Sequence, residues 1–310
     1  MLTKRRLVQA LAAGGAVTVA GPALSGCATN PATGEKQFLL VGEGQLSQMA
    51  ATSWAEAKRT TPTSTDPRYL NRLKNIGSRI SRGAGKSNEQ WDYAVFDKDA
   101  KNAFVLPGNR VGFYKGMMDF ADNDDQIAAV MGHEVGHVTG RHAAERVSQQ
   151  MAGQLVVQGG SVLAGSQLGK KCRSQAEARI AGRRQIARQE QIQIQREYQN
   201  CLSGAHRKTQ LLSAALGMGF TFGIVLPYSR KHESQSDLLG AKYMHKAGYD
   251  AYQSVRLWEK MAENSPSRQP EFMSTHPDPA RRAEDLHNYI KYQESLGSQG
   301  WKSIKMPESS

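Results

Sequence analysis

Apolar positions recur along the chain at helix or strand spacing between polar breaks, and this pattern assigns most of the elements. The chain opens with an apolar, small-residue stretch from Leu7 to Leu24. From Gln45 to Lys58 the spacing predicts a helix. Thr60 to Asp66 breaks it, and a second helix is predicted from about Pro67 to Ile80. Beyond Gly83-Ala84-Gly85, Trp91 to Phe96 alternates as a strand does. Ala103 to Leu106, Pro107-Gly108-Asn109 and Val111 to Tyr114 read as a hairpin. Helix resumes at Lys115, and Asn123-Asp124-Asp125 supplies a cap and negative charge for a helix from about Asp125 through Arg146. Leu155 to Leu168 and Leu211 to Leu226 are apolar and glycine-containing but shorter than the roughly 20 residues that span a bilayer, so both are read as core helices. The Gln- and Arg-rich segment between them reads as a solvated helical hairpin.

The length, 310 residues with 39% hydrophobic, suits one large folded domain or two small ones and argues against disorder throughout. Lys4-Arg5-Arg6 precedes the first apolar stretch and Leu24-Ser25-Gly26-Cys27 follows it, which is the layout of a secretory signal. The segment looks like a bacterial lipoprotein signal, cut before Cys27, with that cysteine receiving lipid. Cys172 and Cys201 would then be left in an oxidising compartment, where one disulfide is expected and two free buried thiols are the alternative. The net charge is +12, but residues 169–208 hold ten Lys or Arg against three Glu. No nucleic-acid motif surrounds them, so the expected partners are anionic lipid or cell-wall polymer and not nucleic acid.

The chemistry centres on His133-Glu134-Val135-Gly136-His137. Residues four apart on a helix lie roughly 40° apart around its axis, so His133 and His137 project from one face and can reach one ion. Zinc accepts neutral imidazoles, and a catalytic site needs three protein ligands, leaving the fourth position to water. Glu134 stands where it can take that water's proton. His142 would be turned about 140° from His137 if the helix simply continued, off the metal face. Glu233 and Asp237 share a face at the start of a later helix. One carboxylate can complete the metal site while the other accepts a hydrogen bond from a ligand histidine.

Together with Asn30-Pro31-Ala32-Thr33-Gly34, Asn102 to Gly108, and Ser274-Thr275-His276-Pro277 with Arg282, these residues resemble the HtpX, Ste24 and Oma-like zinc metallopeptidases of peptidase family M48, particularly exported bacterial lipoprotein members. The resemblance implies an α+β, mostly helical, zincin-like domain with a small sheet and one zinc ion per chain. It implies Glu233 as third ligand beside His133 and His137, Asp237 behind them, Glu134 as catalytic base, and His276 and Arg282 facing the substrate. The hairpin from Asn102 to Tyr114 would bind an extended peptide by its edge. His137 and Glu233 are 96 residues apart, more than is usual in such members, and the excess corresponds to the basic hairpin. The expected organisation is a leader (1–26), a tether and N-terminal helix (27–60), the peptidase domain (61–295, with 169–208 as inserted hairpin) and a C-terminal tail (296–310). The resemblance points to a periplasm-facing lipoprotein of the outer membrane that hydrolyses unfolded or misfolded envelope proteins, in company with envelope assembly machinery. A chaperone-like or scaffold lipoprotein with a latent or structural zinc site is the alternative.

Overall fold

The computed structural model describes residues 27–183, 186–220, 226–264, 276 and 279–304, with the side chains of 27, 214–220, 226–229 and 279 left aside. The leader, Ser274, Thr275 and Pro277 lie outside them. Two compact units are formed, one from Gly26–Gln149 with Leu226–Ser310, the other from Gln150–Val225.

The first unit begins with a two-stranded antiparallel hairpin, β1 (Cys27–Thr29) and β2 (Lys36–Phe38), followed by α1 (Glu43–Thr60) and α2 (Pro67–Gly83). Asp66 caps α2 by accepting from the Arg68 N–H, and Pro67 fills a position whose N–H has no helical partner. Leu73, Ile76 and Ile80 line its inner face at helical spacing and are fully buried. A three-stranded sheet follows in the order β3 (Asp92–Phe96), β5 (Arg110–Tyr114), β4 (Ala103–Leu106), with β3 parallel and β4 antiparallel to the central strand. The β4–β5 turn takes positive φ at Gly108 and Asn109, residues that tolerate it. β4 therefore lies at an edge of the sheet.

A short α3 (Lys115–Phe120) leads into α4 (Asp124–Thr139), capped by the Asn123 side chain. α4 is buried nearly all round and forms the centre of the core with α7 (Leu226–Lys246), α8 (Tyr252–Glu263) and α9 (Pro279–Ser295). The expected helix through Arg146 is interrupted. It ends at Thr139, Arg141 adopts φ 55°, and a new helix α5 (His142–Ile180) starts there.

Cys27 to Val41 is not a free tether. Asn30 is completely buried, accepts from the Ala32 and Thr33 N–H groups, and donates to the Thr139 carbonyl. Gln37 donates to the Gly140 carbonyl and to Glu145. The hairpin thus satisfies carbonyls that the end of α4 leaves open.

In the second unit α5 runs on and α6 (Arg188–Phe220) follows it, with Cys172 and Cys201 joined in a disulfide. Ala176, Ile180 and Ile194 make a small core near the turn. Leu155, Val156, Val162, Leu163 and Leu211 were expected in a core but stand exposed. Helical periodicity says which residues share a face, not whether anything covers it. Among the described residues no helix is long and apolar enough to cross a membrane.

Candidate metal centre

Two helices supply the centre, and small residues bring them together. A Cβ on Gly136 would meet the backbone of Ser236 at 2.7 Å, and one on Gly240 would meet the backbone of Gly132 and His133 at 2.9 Å. Glycines at 132 and 136 on α4 thus face Ser236 and Gly240 on α7, and the backbones approach as closely as that permits. The approach carries Glu233, one turn before Ser236, to the face that bears His133 and His137.

There the Nε2 atoms of His133 and His137 lie 3.1 Å apart. The Glu233 carboxylate is 3.3 Å from the first and 3.4 Å from the second. His276 joins them, its Nδ1 2.6 Å from Glu233 and 3.1 Å from His133 Nε2. One ligand atom from each of these four residues falls within 4.8 Å of the others. Glu134 is buried beside them, with Oε1 lacking a hydrogen-bond partner among the described residues and 3.7 Å from His276 Nε2.

Hydrogen bonds behind the cluster set the tautomers. Asp237 accepts from His133 Nδ1 at 2.9 Å, so a neutral His133 turns its Nε2 lone pair toward the cluster. Arg282 donates to both oxygens of Asp237 at 2.7 Å and lies 3.8 Å over the Trp258 ring. Its guanidinium is turned onto Asp237, whereas His276 lines the adjoining groove.

On the other side the break at Gly140 and Arg141 swings His142 back, so that its Nδ1 is 2.9 Å from His137 Nδ1. The Nε2 of His142 faces Gln235 Oε1 at 3.0 Å. With Gln235 so oriented, His142 accepts from His137 Nδ1–H and leaves the His137 Nε2 lone pair to the cluster. His142 stacks on His232, which contacts Glu145, which holds Gln37 of the N-terminal hairpin. On an unbroken helix His142 would stand off the metal face, and the break at Arg141 is what brings it behind His137. Gly140 is a weak local hint of a helix end, since it stays right-handed and the left-handed residue after it is Arg141.

Burial pushes His137 well below its ordinary pKa and, with His232 stacked alongside, takes His142 down to about 3. Burial also opposes charge on His133, as does Arg282, but the carboxylates of Asp237 and Glu233 outweigh both and hold it at about 9. Burial would raise Glu233, yet its histidine neighbours keep it well below the usual range. Burial raises Glu134. Three buried carboxylates, Glu134, Glu233 and Asp237, thus surround one fixed cation, Arg282. Two imidazoles with Nε2 turned to the cluster and a carboxylate, on a site where three carboxylates face one arginine, are a donor set that fits a divalent metal such as zinc, which on binding would displace the proton from His133.

The cluster opens into a groove of about 490 Å³ that contains Glu134, His137, Glu233 and His276. Residues Ala103 to Leu106 of β4 form one wall, and Leu46 of α1 and Ala143 of α5 also line it.

The family description Peptidase family M48 matches residues 67–290. The chain is 29% identical over 220 residues to the mitochondrial metalloendopeptidase OMA1 of Schizosaccharomyces pombe, an alignment covering 70% of this chain and 52% of that protein. It is 25% identical over 291 residues to the beta-barrel assembly-enhancing protease of Escherichia coli K12, covering 92% and 52% respectively. With OMA1 of Bos taurus it shares 27% over 276 residues, covering 84% and 45%. The chain therefore spans about half the length of these relatives.

Proposed function

Because the chain belongs to peptidase family M48, we propose that it is a zinc-dependent endopeptidase whose metal is held by His133, His137 and Glu233, with Glu134 as general base. The observation that carries this reading is the convergence of the three ligand groups beside Glu134, at the foot of a groove walled by a sheet edge. When bound, zinc supplies the Lewis acidity that lowers the pKa of water and polarises a carbonyl. An extended peptide adds to β4 by main-chain hydrogen bonds, which hold the scissile bond over the cluster with little demand on side chains. Glu134, raised by burial and with Oε1 free of other hydrogen bonds, takes the proton of the attacking water and passes it to the leaving amine. His276 lines the groove and donates to the oxyanion of the tetrahedral intermediate. Arg282 acts through Asp237, keeping that carboxylate aimed at His133. The test compares zinc content and casein cleavage in the wild type, Glu134→Gln and Glu233→Ala. Glu134→Gln should keep zinc and lose cleavage, and Glu233→Ala should lose zinc. Equal cleavage by Glu134→Gln, or unchanged zinc in Glu233→Ala, overturns the assignment.

The position of His276 favours a second reading, in which it is a fourth ligand that closes the site and leaves a latent enzyme or a chaperone-like lipoprotein. His276→Ala distinguishes the two: cleavage rises if His276 closes the site and falls if it serves the oxyanion.

The substrates we propose are misfolded or stalled envelope proteins, handled in company with envelope assembly machinery. The name of the beta-barrel assembly-enhancing relative supports this. The leader pattern supports lipidation at Cys27 and a place on the periplasmic face of the outer membrane. Incorporation of labelled palmitate into the wild type but not into Cys27→Ala is the expected result. We keep 61–295 as the peptidase domain and 169–208 as an insert within it.

A further inference from the structure

The hydrophobic surface of this chain is unevenly distributed. Among the described residues ten large apolar side chains stand exposed, and eight of them belong to the unit Gln150–Val225. Five lie on α5: Met151, Leu155, Val156, Val162 and Leu163. At about 100° per residue they fall within one sector of roughly 140°. Leu155, Val156, Val162 and Leu163 are 59, 64, 61 and 68% exposed.

That sector is not the side α5 turns to α6. Ser161 is hydrogen-bonded to Ser213, a Cβ at Gly165 would meet Thr209, and Cys172 carries the disulfide. These positions lie more than about 100° round the helix from the centre of the apolar sector. α5 thus has a small, polar face toward its partner helix and an apolar face toward solvent, the reverse of a helix in a core. A contiguous exposed face of this kind marks an interaction surface.

Charge identifies the occupant. Lys170 continues the apolar sector about two helical turns beyond Leu163, with Lys171 beside it, and both are exposed. The surrounding 169–208 carries ten cations against three Glu. A second copy docking here would set two such segments against each other, at a repulsive cost. An anionic bilayer offers acyl chains to the apolar side and phosphates to the lysines, which is how an interfacial helix with a cationic flank binds. No described helix can cross a bilayer, so the contact is with the surface.

We propose that the outward face of α5, from Met151 to Leu163, seats in the headgroup boundary of an anionic membrane, with Lys170 and Lys171 against its phosphates. The contact concerns the hairpin and does not depend on the reading of the metal centre.

Leu163→Trp in the full chain, reconstituted in vesicles of phosphatidylglycerol and phosphatidylcholine in equal parts, tests it. The added tryptophan should shift its emission to the blue and be quenched by lipids brominated in the upper acyl chain, beyond what the four native tryptophans show. Leu155→Trp gives a second, independent reporter. Neutralising Lys170 and Lys171 to Gln on the same background should weaken the face's partition roughly fivefold for each lysine. No quenching above the parent at either position overturns the proposal. Quenching of equal size in pure phosphatidylcholine and in the Gln variants also overturns it, because anionic lipid is then not what the face recognises. A blue shift without lipid quenching, accompanied by a dimer in sedimentation equilibrium, replaces the bilayer by a second copy.

Discussion

Replacing Gly136 by Ala tests whether the spacing of α4 and α7 makes the metal centre. The added Cβ would stand 2.7 Å from the Ser236 carbonyl oxygen and 2.9 Å from its Cα, where ordinary contact begins near 3.4 Å. The neighbour is backbone, so the helices must part by about 0.7 Å to admit one methyl. Two opposing effects on stability nearly cancel: Ala favours the helix by about 1 kcal/mol over Gly, and overpacking costs about 1–3 kcal/mol. The Tm is therefore expected to move by a few degrees at most. The site has no such compensation. Glu233 rides on α7 and must reach His133 and His137 on α4, and a ligand set tolerates only about 0.5 Å of displacement. Zinc affinity and casein turnover should both fall by about tenfold to a hundredfold. Zinc retained against a competing chelator, casein cleavage and Tm are measured for the wild type, Gly136→Ala and Gly204→Ala, the last a helical glycine where an added Cβ would meet nothing within 4 Å. Gly204→Ala should keep zinc affinity and turnover. Parental zinc affinity in Gly136→Ala would refute the argument whatever the turnover, because it would mean that the two helices separate without disturbing the ligands.

Four further outcomes are expected. Asn30→Ala removes the buried bond to the Thr139 carbonyl and should cost about 1–3 kcal/mol, read as a lower denaturation midpoint. Tyr243 donates to Thr139 Oγ1, and burial pushes its pKa from 10.0 up to about 12. A raised folded-state pKa gives stability that is fully present below pH 10 and lost as pH climbs through 12, about 2–3 kcal/mol in all. Tyr243→Phe should therefore flatten the fall in stability over that window, as alkaline unfolding curves would show. Cys172→Ser opens a loop with its ends 29 residues apart and should release about 3–4 kcal/mol of restraint on the hairpin. Hydrogen exchange should rise between 172 and 201 while zinc content stays unchanged. Removing zinc with a chelator should lower the calorimetric midpoint and its return should restore it, by about 4 kcal/mol when zinc is at a thousandfold excess over its Kd.

How far the sequence could be read depended on the range of the signal. α2, with its Asp66 cap and Pro67, and the β4–β5 hairpin around Gly108 and Asn109 are written in adjacent residues, and they form as predicted. The motif helix was placed for the same reason. Its end was not, since Arg141 adopts a conformation that a residue with a side chain seldom takes, and it is held there in a tertiary setting. The misplacement of His142 follows from that one φ angle. The His142, His232, Glu145, Gln37 and Asn30 series joins positions up to about a hundred residues apart, and periodicity carries no information about such pairs. Glu233 and Asp237 were picked out because two carboxylates four apart share a helix face. Which approaches the ring nitrogens depends on the small-residue contact at Gly136 and Ser236. The exposure of the α5 face is not legible in the sequence for a related reason, as an apolar stripe reads the same whether or not a core covers it.

The hold of Asn30 and Gln37 on the carbonyl end of α4 also has a mechanical consequence. Cys27 opens β1 and Asn30 directly follows that strand, so tension on the chain at Cys27 is delivered within three residues to the last turn of the helix that bears His137. β1 and β2 are antiparallel and share that load along their pairing, while the side chains of Asn30 and Gln37 bear on Thr139 and Gly140 directly. A pull on the chain at Cys27 is therefore felt as strain in the last turn of the helix that carries the proposed ligands His133 and His137.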